Sequence, residues 1–227
     1  MLQLFCEEPA VALAIFDLDN TLLGGDSDHA WGQFLVDHKL ADEETYRQAN
    51  DYFYQQYQNG TLDIDEFLAF SLKPLTQYSL EQLASFHRDF MAKYIAPMML
   101  PKAQSLLEEH RANGDYLLII TATNGFITRP IAKLLGVDDI IATDPELIDG
   151  AYTGKYVGTP TFQSGKVTRL NDWLEKHSYD LNDAYFYSDS INDLPLLEKV
   201  GKPIAVDADK HLTTIAQTRG WKLISLR

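Results

Sequence analysis

The feature that most constrains this chain is an apolar run, VALAIF, followed at once by two aspartates. The run covers residues 11–16, and Asp17 and Asp19 come directly after it. A short apolar run that ends in a polar turn predicts a buried strand. Because side chains alternate between the faces of a strand, Asp17 and Asp19 are expected to point the same way. Two carboxylates in one small volume need a cation, a shared proton or a basic neighbour.

Similar apolar runs recur along the chain and predict an α/β fold. Between helical patterns, strands are expected at about 11–17, 115–121, 139–142, 184–188 and 203–206. This alternation is typical of a Rossmann-like, mostly parallel sheet flanked by helices, with its chemistry just beyond the carboxyl ends of the strands. Residues 146–158, ELIDGAYTGKYVG, carry D-G and T-G turn signals and predict a β-hairpin.

The segment from 24 to 96 has a different character from the rest of the chain. It is polar, aromatic and helix-patterned, with no strand-like run. Gly24–Gly25 opens it, and Pro97 and Pro101 close it, as hinges would. We therefore expect an inserted small α-helical cap domain. The predicted division is a catalytic core of residues 1–23 and 97–227 and a helical cap of residues 24–96.

Composition excludes several classes of partner. The 227 residues carry a formal net charge of −14, which repels a phosphate backbone, so nucleic acid is not expected to bind. The single cysteine, Cys6, excludes an internal disulfide and fits a reducing compartment. The first ten residues do not read as a signal peptide, and no apolar stretch is long enough to span a bilayer. We expect a cytoplasmic protein without a membrane partner; its oligomeric state stays open.

A second candidate site element follows the apolar run that ends at Ile120. Thr121 stands at this strand end, and Thr123 and Asn124 come just before a helical pattern. A hydroxyl at a strand end, followed by N–H groups entering a helix, makes an anion site. An ordinary helix N-cap explains the same residues equally well.

The third and fourth elements are a lysine and a pair of aspartates near predicted helix starts. Lys166 lies in QSGKVTRL, where a lysine is by default a solvated surface charge that the helix dipole mildly disfavours. Asp189 and Asp193 lie in YSDSINDLPLL, after the apolar run 184–187. Two acids near a helix start could simply complement its dipole.

Taken together, these motifs resemble those of the haloacid dehalogenase (HAD) superfamily of phosphohydrolases over essentially the whole chain. The shared order is D-x-D-x-T, a Thr, a Lys and D-x-x-x-D, here D-L-D-N-T at 17–21 and D-S-I-N-D at 189–193. The helical insert, the hairpin and the phrase S-I-N-D-L-P resemble the phosphoserine-phosphatase-like branch. The resemblance implies a phosphomonoesterase that works through an aspartyl-phosphate and uses Mg²⁺.

The resemblance also implies roles for the individual residues. Asp17 would be the nucleophile, and Asp19 would protonate the leaving alkoxide and then activate water. The Mg²⁺ ligands would be the carboxylates of Asp17 and Asp189 and the backbone carbonyl of Asp19, with Asp193 holding metal-bound water or Lys166. Lys166 and Thr121 would bind phosphoryl oxygens. The expected substrate-binding residues are Asp26, Thr123, Asn124 and Asn192.

The substrate is expected to be a small phosphorylated metabolite that carries an amine. Phosphoserine phosphatases bind the substrate ammonium with an acidic residue nine positions after the nucleophile, which here is Asp26. An ungapped count puts Ser71 where their carboxylate-binding arginine stands, although Lys73 or Arg47 could replace that cation. A lost carboxylate partner favours an amino-alcohol ester, with L-histidinol phosphate first, over L-phosphoserine or a broad-specificity substrate range. Asp26 could equally be an N-cap for the helix that begins near His29.

Other readings fit the residues less well. A receiver-type phosphoacceptor module has about half this length and no helical insert, and a dehalogenase lacks the second aspartate of the first motif. The cap aromatic residues are expected to form mostly cap core, with one or two lining the pocket. Four histidines lack metal-ligand spacing and are expected at the surface: His29, His38, His87 and His110.

Overall fold

The computed structural model describes residues 11–227, except for the side chain of Thr45. The first ten residues, on which the predictions about Cys6 and a signal peptide rest, lie outside the described residues. The strands are β1 Leu13–Phe16, β2 Tyr116–Asn124, β3 Asp139–Ile148, β4 Ala151–Val157, β5 Tyr185–Ser188, β6 Lys202–Val206 and β7 Lys222–Ile224. The α-helices are α1 Ser27–Asp37, α2 Glu43–Gln58, α3 Ile64–Leu72, α4 Leu80–Phe90, α5 Pro101–Ala112, α6 Gly125–Leu135, α7 Ser164–Leu174, α8 Leu194–Leu197 and α9 Lys210–Arg219.

The seven strands form one sheet in the order β4-β3-β2-β1-β5-β6-β7. Every neighbouring pair is parallel except β3 and β4, which are antiparallel. From β1 the chain first builds one side of the sheet, through β2, and reaches the other side at β5. A crevice opens beyond the carboxyl ends of the strands where the strand order reverses in this way. Asp17, the residue after β1, therefore stands at the centre of that edge.

The alternation of side chains along β1 explains why the sheet is buried on both faces. Ala14 and Phe16 belong to the hydrophobic cluster on one face, and Leu13 and Ile15 belong to the cluster on the other. All four side chains are essentially inaccessible to solvent. Burial on both faces is typical of a parallel sheet covered by helices. The predicted α/β fold is confirmed.

The segment between β1 and α5 is built from helices. It contains α1 to α4, the 3₁₀ helix Lys73–Gln77, the π-helical turn Met91–Ile95 and the 3₁₀ turn Ala96–Met98. Its two connections to the sheet run side by side, because Leu23 pairs with Met99 and the Gly24 N–H donates to the Met98 carbonyl at 2.7 Å. We interpret residues 24–96 as the cap and the remainder as the core. None of the helices within residues 11–227 is long and apolar enough to cross a membrane.

Aromatic side chains join this helical segment to the core. The ring of Trp31, on α1, lies 5.1 Å from those of Phe34 and Phe90 and 5.3 Å from that of Phe126, measured between centroids. Phe126 belongs to α6, a core helix. The base of the cap and one face of the sheet therefore share a single hydrophobic cluster.

The hairpin prediction is confirmed, whereas some strand limits differ from those predicted. β3 and β4 pair around Asp149 and Gly150, whose φ angles of 50° and 78° suit the two central positions of a type I′ turn. β2 continues three residues beyond the predicted end at 121, with a register shift against β3 after Ile120. β7 was not predicted, because its three residues are too few for a periodic pattern.

The prediction of surface histidines is wrong for His87 and His110, which are both buried. The two ring nitrogens of His110 lie 2.7 Å from the Asp115 carboxylate and 2.7 Å from the Tyr187 hydroxyl. The Nε2 of His87 lies 3.1 Å from the Ile127 carbonyl of α6. Burial of imidazole is possible here because each ring finds hydrogen-bond partners inside the protein.

Candidate active site

Asp17, Lys166 and Asp193 form a buried ionic cluster at the carboxyl end of β1. The Asp17 N–H donates to the Tyr187 carbonyl at 2.9 Å, which fixes Asp17 between β1 and β5. The Lys166 Nζ donates to Asp17 Oδ1 at 2.7 Å and to Asp193 Oδ2 at 2.8 Å. All three side chains are almost completely buried. The default interpretation of Lys166 as a solvated charge is therefore excluded.

The loops around this cluster hold Lys166 and Asp193 in place. Lys166 lies in the first turn of α7, directly after Gly165, where a Cβ would come 2.0 Å from the Pro160 carbonyl oxygen. Only glycine permits this approach. Asp193 accepts a further hydrogen bond from the Ser188 Oγ at 2.7 Å. Burial alone lowers the pKa of Lys166, but Asp17 and Asp193 raise it by more, so the ammonium stays charged.

Asp17 has one carboxylate oxygen that lacks a partner. Its Oδ1 accepts from Lys166, whereas its buried Oδ2 has no hydrogen-bond partner. Burial raises the pKa of Asp17 to about 7, against the opposing effect of Lys166 and with the help of Asp193 and Asp19. A buried unpartnered oxygen among other carboxylates suits a ligand that brings positive charge, or a reaction at that oxygen.

Asp189 is a further carboxylate of the site, and Thr21 fixes it. The Thr21 Oγ1 donates to Asp189 Oδ1 at 3.2 Å and accepts from the Asp189 N–H at 3.1 Å. Burial, followed by the charges of Asp17 and Asp193, raises the pKa of Asp189 well above its usual range. This mutual repulsion is what a bound cation would relieve.

The donor set fits a small hard cation such as Mg²⁺, which prefers oxygen ligands and retains water. The candidate ligands are the carboxylates of Asp17, with its free Oδ2, and Asp189, together with the Asp19 carbonyl. Within the described part of the chain, no group of three or more His, Cys, Asp or Glu side chains is arranged to hold a metal. A site of two carboxylates and one carbonyl does not require such a group.

Asp19 has different partners from Asp17. Its Oδ1 accepts from the Ser27 N–H at 2.6 Å, and its Oδ2 accepts from the Thr123 Oγ1 at 2.8 Å. Burial, followed by the charge of Asp26, raises the pKa of Asp19 to about 7, against the opposing effect of these hydrogen bonds. Asp17 and Asp19 line the same cavity, as the alternation along the strand predicts.

The segment at the end of β2 forms a wall of this cavity. Thr121 and Thr123 both line it, and the Thr123 N–H donates to the Thr121 Oγ1 at 3.2 Å. Asn124 is the N-cap of α6, where its side chain accepts from the Ile127 N–H at 3.4 Å. The N-cap interpretation therefore holds at Asn124, the two threonines lie at the cavity, and the anion site stays a prediction.

Asn192, like Lys166, Asp189 and Asp193, is not among the residues that line this cavity, and its contact with substrate stays a prediction. Its Nδ2 donates to the Tyr57 carbonyl at 2.9 Å, and its Oδ1 accepts from Gln163 at 3.2 Å. Tyr57 is near the end of α2. Asn192 therefore ties the cap to the loop that carries Asp189 and Asp193.

The cap covers Asp17 and Asp19 with apolar and acidic side chains. The apolar and aromatic part of the lining comes from Phe53, Tyr54, Tyr57, Leu62, Ile64 and Phe67. The polar part comes from Asp26, Asp28, His29 and Asn50. Of the residues that the structure describes, no lysine or arginine lines this cavity.

The cations that the sequence offered as substitutes lie elsewhere. Arg47 pairs with Glu43 at 3.0 Å on the exposed surface of α2. Lys73 lines a separate pocket with Leu40, Tyr46 and Phe70. Ser71 is buried, its hydroxyl has no hydrogen-bond partner, and it does not line the cavity.

Asp26 is both an N-cap and a cavity residue. Its Oδ1 accepts from the N–H groups of Asp28 and His29, at 2.9 and 2.8 Å, so the N-cap interpretation holds. Asp28 was not singled out from the sequence. An acid in the first turn of a helix looks like an ordinary dipole partner, and only the fold shows that this one faces the cavity.

Comparison with known proteins identifies the family. The model of the haloacid dehalogenase-like hydrolases matches residues 14–198, which include every motif described above. The chain belongs to this family. The family is generally Mg²⁺-dependent, and its phosphatases act on small phosphorylated compounds.

Three proteins similar to this HAD chain are informative. A histidinol-phosphatase of Neisseria meningitidis serogroup C is 49% identical over 219 residues, which cover 95% of this chain and 99% of that protein. A crystal structure of a protein with unknown function from Bordetella pertussis Tohama I is 44% identical, with a TM-score of 0.89 over 96% of this chain and 99% of that one. A substrate-bound phosphoserine phosphatase shares the fold, with a TM-score of 0.69, 18% identity and coverage of 96% and 93%.

Proposed function

We propose that this chain is a Mg²⁺-dependent phosphomonoesterase that works through an aspartyl-phosphate at Asp17, with L-histidinol phosphate as its preferred substrate. The observation that carries the proposal is the unpartnered Asp17 Oδ2 beneath a cavity lined by acids and aromatic rings without a lysine or arginine in the described residues. The 49% identity to a histidinol-phosphatase over nearly the whole chain supports the substrate.

The residues can divide the reaction into two steps. In the first, the Asp17 carboxylate attacks phosphorus, the bond to the leaving oxygen breaks, and that oxygen takes the proton from Asp19. In the second, Asp19 takes a proton from water, which attacks the phosphoryl group and releases inorganic phosphate and Asp17. Lys166 holds Asp17 oriented and offsets charge beside it. Bound Mg²⁺ would neutralise charge on the phosphoryl oxygens.

The surroundings of Asp19 suit a group that must both give and take a proton. Its pKa of about 7 lies close to neutral pH, where an acid–base catalyst is most effective. The Ser27 N–H and the Thr123 hydroxyl fix its carboxylate in the cavity wall. Thr121 and nearby N–H groups would bind phosphoryl oxygens.

The cavity supports an amine-bearing leaving group. Asp26 offers a carboxylate for the substrate ammonium, in keeping with its position nine residues after Asp17. A substrate carboxylate would meet Asp26 and Asp28 and no lysine or arginine among the described lining residues. If the carboxylate of L-phosphoserine is buried here without a partner, kcat/KM for that substrate should fall several-fold to about a hundredfold. The cavity therefore disfavours L-phosphoserine.

The composition of the chain bears on its partners and its location. A net charge of −14 argues against a nucleic-acid partner. The single cysteine fits a reducing compartment, which supports a cytoplasmic location.

A phosphate-release assay with L-histidinol phosphate tests the proposal. The purified full chain should release phosphate with Mg²⁺ present, lose this activity in excess chelator and regain it when excess Mg²⁺ is added. Activity that persists undiminished in chelator would contradict the metal requirement. Absence of turnover with L-histidinol phosphate, alongside turnover of another phosphomonoester, would contradict the substrate.

A further inference from the structure

We infer that Asp28 is a second specificity residue of this site and accepts a hydrogen bond from the imidazole ring of the leaving group. The inference rests on the proposed function and deepens it, because it assigns the far end of the substrate to a named carboxylate. Asp26 alone explains recognition of an ammonium, which any amino-alcohol phosphate provides. Among amino-alcohol phosphates, Asp28 would select the one that carries an imidazole ring.

The first observation is that Asp28 is buried in the cavity with little to hold it. Its side chain lines the cavity and is only 9% exposed. Asn124 Nδ2 donates to its Oδ1 over a long 3.4 Å. Proximity to the start of α1 stabilises an acid, but a carboxylate buried in this way still lacks a strong donor. A ligand that brings an N–H into the cavity would supply one.

The second observation concerns the charges that act on Asp26 and Asp28. Burial raises the pKa of Asp26, and Asp17 is among the charges that raise it further. Burial also raises the pKa of Asp28, where the contributing charges are those of Asp26 and Asp19. Both acids line the cavity with Asp17, and this difference favours Asp26 as the nearer of the two to the nucleophile.

This order matches the order of groups in L-histidinol phosphate. From the phosphorus outward, the molecule carries the ester oxygen, a methylene, the carbon with the ammonium, a second methylene and then the imidazole. With phosphorus at Asp17, the ammonium comes to Asp26 and the ring comes to Asp28. A ring N–H is a donor in either protonation state of imidazole, so it can bind the Asp28 carboxylate in both.

The third observation is the aromatic lining on the cap side. Phe53 and Phe67 line the same cavity, and their ring centroids lie 5.5 Å apart in an edge-to-face arrangement. Aromatic faces favour a flat ring over an aliphatic chain. His29 also lines the cavity, but its Nε2 already contacts Asp51 at 3.1 Å. Asp28 is therefore the better acceptor for a substrate ring.

The test compares two substrates that differ only at the far end. L-Alaninol phosphate keeps the phosphate and the ammonium of L-histidinol phosphate but has a hydrogen where the ring is attached. In Asp28→Asn and in Asp28→Leu, the ratio of kcat/KM for L-histidinol phosphate to that for L-alaninol phosphate should fall at least about tenfold. Most of the loss should appear in KM, because the ring contact exists before the chemical step.

Two further variants serve as controls. Asp26→Asn should weaken both substrates, because both carry the ammonium, and should leave their ratio within about threefold of the wild type. Asp89→Asn, an equivalent change on the exposed face of α4, should leave both values unchanged. Thermal unfolding of each variant establishes that it is folded.

The outcomes separate the two proposals. If the wild type hydrolyses L-histidinol phosphate but both Asp28 variants keep its selectivity ratio, the inference about Asp28 is wrong and the proposed function stands. If the wild type does not hydrolyse L-histidinol phosphate, both are wrong. If neither variant folds, competitive inhibition of the wild type by the two free amino alcohols tests the inference instead. L-Histidinol should inhibit at least about tenfold more tightly than L-alaninol, and equal inhibition would overturn the inference.

Discussion

Two groups of carboxylates belong to the candidate site, and they differ in the positive charge that the protein offers them. On the core side, Asp17 and Asp193 both contact the buried ammonium of Lys166. On the cap side, Asp26 and Asp28 have backbone and amide donors but no lysine or arginine among the described lining residues. The first group has its counter-charge within the protein. The second group depends on a bound ligand for its counter-charge.

This difference separates chemistry from recognition. A nucleophile that must attack the same group in every turnover benefits from a permanent positive neighbour. A specificity site benefits from an unmet charge, because only the right substrate removes the cost of burying it. Substitutions on one side at a time can therefore test this difference.

Asp17→Asn should abolish turnover, with a loss of at least about 10³-fold in kcat, because the amide cannot replace a carboxylate nucleophile. The protein should still fold, since the change removes one of several crowded like charges. The assay is phosphate release at saturating substrate, with thermal unfolding to show the folded state. Activity close to that of the wild type in the folded variant would exclude Asp17 as the nucleophile.

Asp19→Asn should slow the reaction according to the leaving group. An alkyl phosphate needs protonation of its oxygen, so its kcat should fall by about 10²-fold or more. p-Nitrophenyl phosphate has a good leaving group, so the rate of attack on phosphorus should fall much less for this substrate. Burst kinetics on the two substrates measure this step. Equal losses for both would leave Asp19 with a structural or metal-binding role only.

Lys166→Met should lower the free energy of unfolding by about 3 kcal/mol, because it leaves Asp17 and Asp193 buried without their cation. Urea denaturation of the metal-free protein measures the change. Lys133→Met, on the exposed surface of α6, is the matched control and should stay within about 0.5 kcal/mol of the wild type. If both variants were equally stable, the core-side ion cluster would not have the importance assigned to it.

Asp26→Asn should have the smallest effect of the four, and a selective one. Loss of a charged partner should reduce kcat/KM about tenfold for L-histidinol phosphate and only slightly for p-nitrophenyl phosphate, which has no ammonium. The asparagine keeps an oxygen that can cap α1, so stability should change little. A similar loss on both substrates would mean that Asp26 acts as a helix cap alone.

The contrast between the two groups also explains how far the sequence could predict the molecule. Asp17, Asp19 and Asp189 follow apolar runs, and parallel strands bring such positions to one edge, so the strand pattern places them together. Lys166 could be included only through the family resemblance. Its burial depends on Gly165 passing close to the Pro160 carbonyl, which no local pattern reveals.

The cap side was harder to predict, because helix periodicity does not say which helix faces which wall. The count that leads to Ser71 runs along α3, and the structure puts that side chain away from the cavity. Asp28 and Asn192 illustrate the same limit. Asp28 faces the cavity although its position resembles that of a dipole partner. Asn192 bridges to Tyr57 of the cap, a contact that no sequence pattern indicates.

The most direct test of the central claim is the selectivity of the unmodified protein between two amine-bearing phosphate esters, one with a carboxylate and one without. With Mg²⁺ present, kcat/KM for L-histidinol phosphate should exceed that for L-phosphoserine at least about tenfold, because the cavity offers its acids to an amine and offers no cation to a carboxylate. Equal values, or a preference for L-phosphoserine, would contradict the account. The unmet charge on the cap side would then not be what selects the substrate.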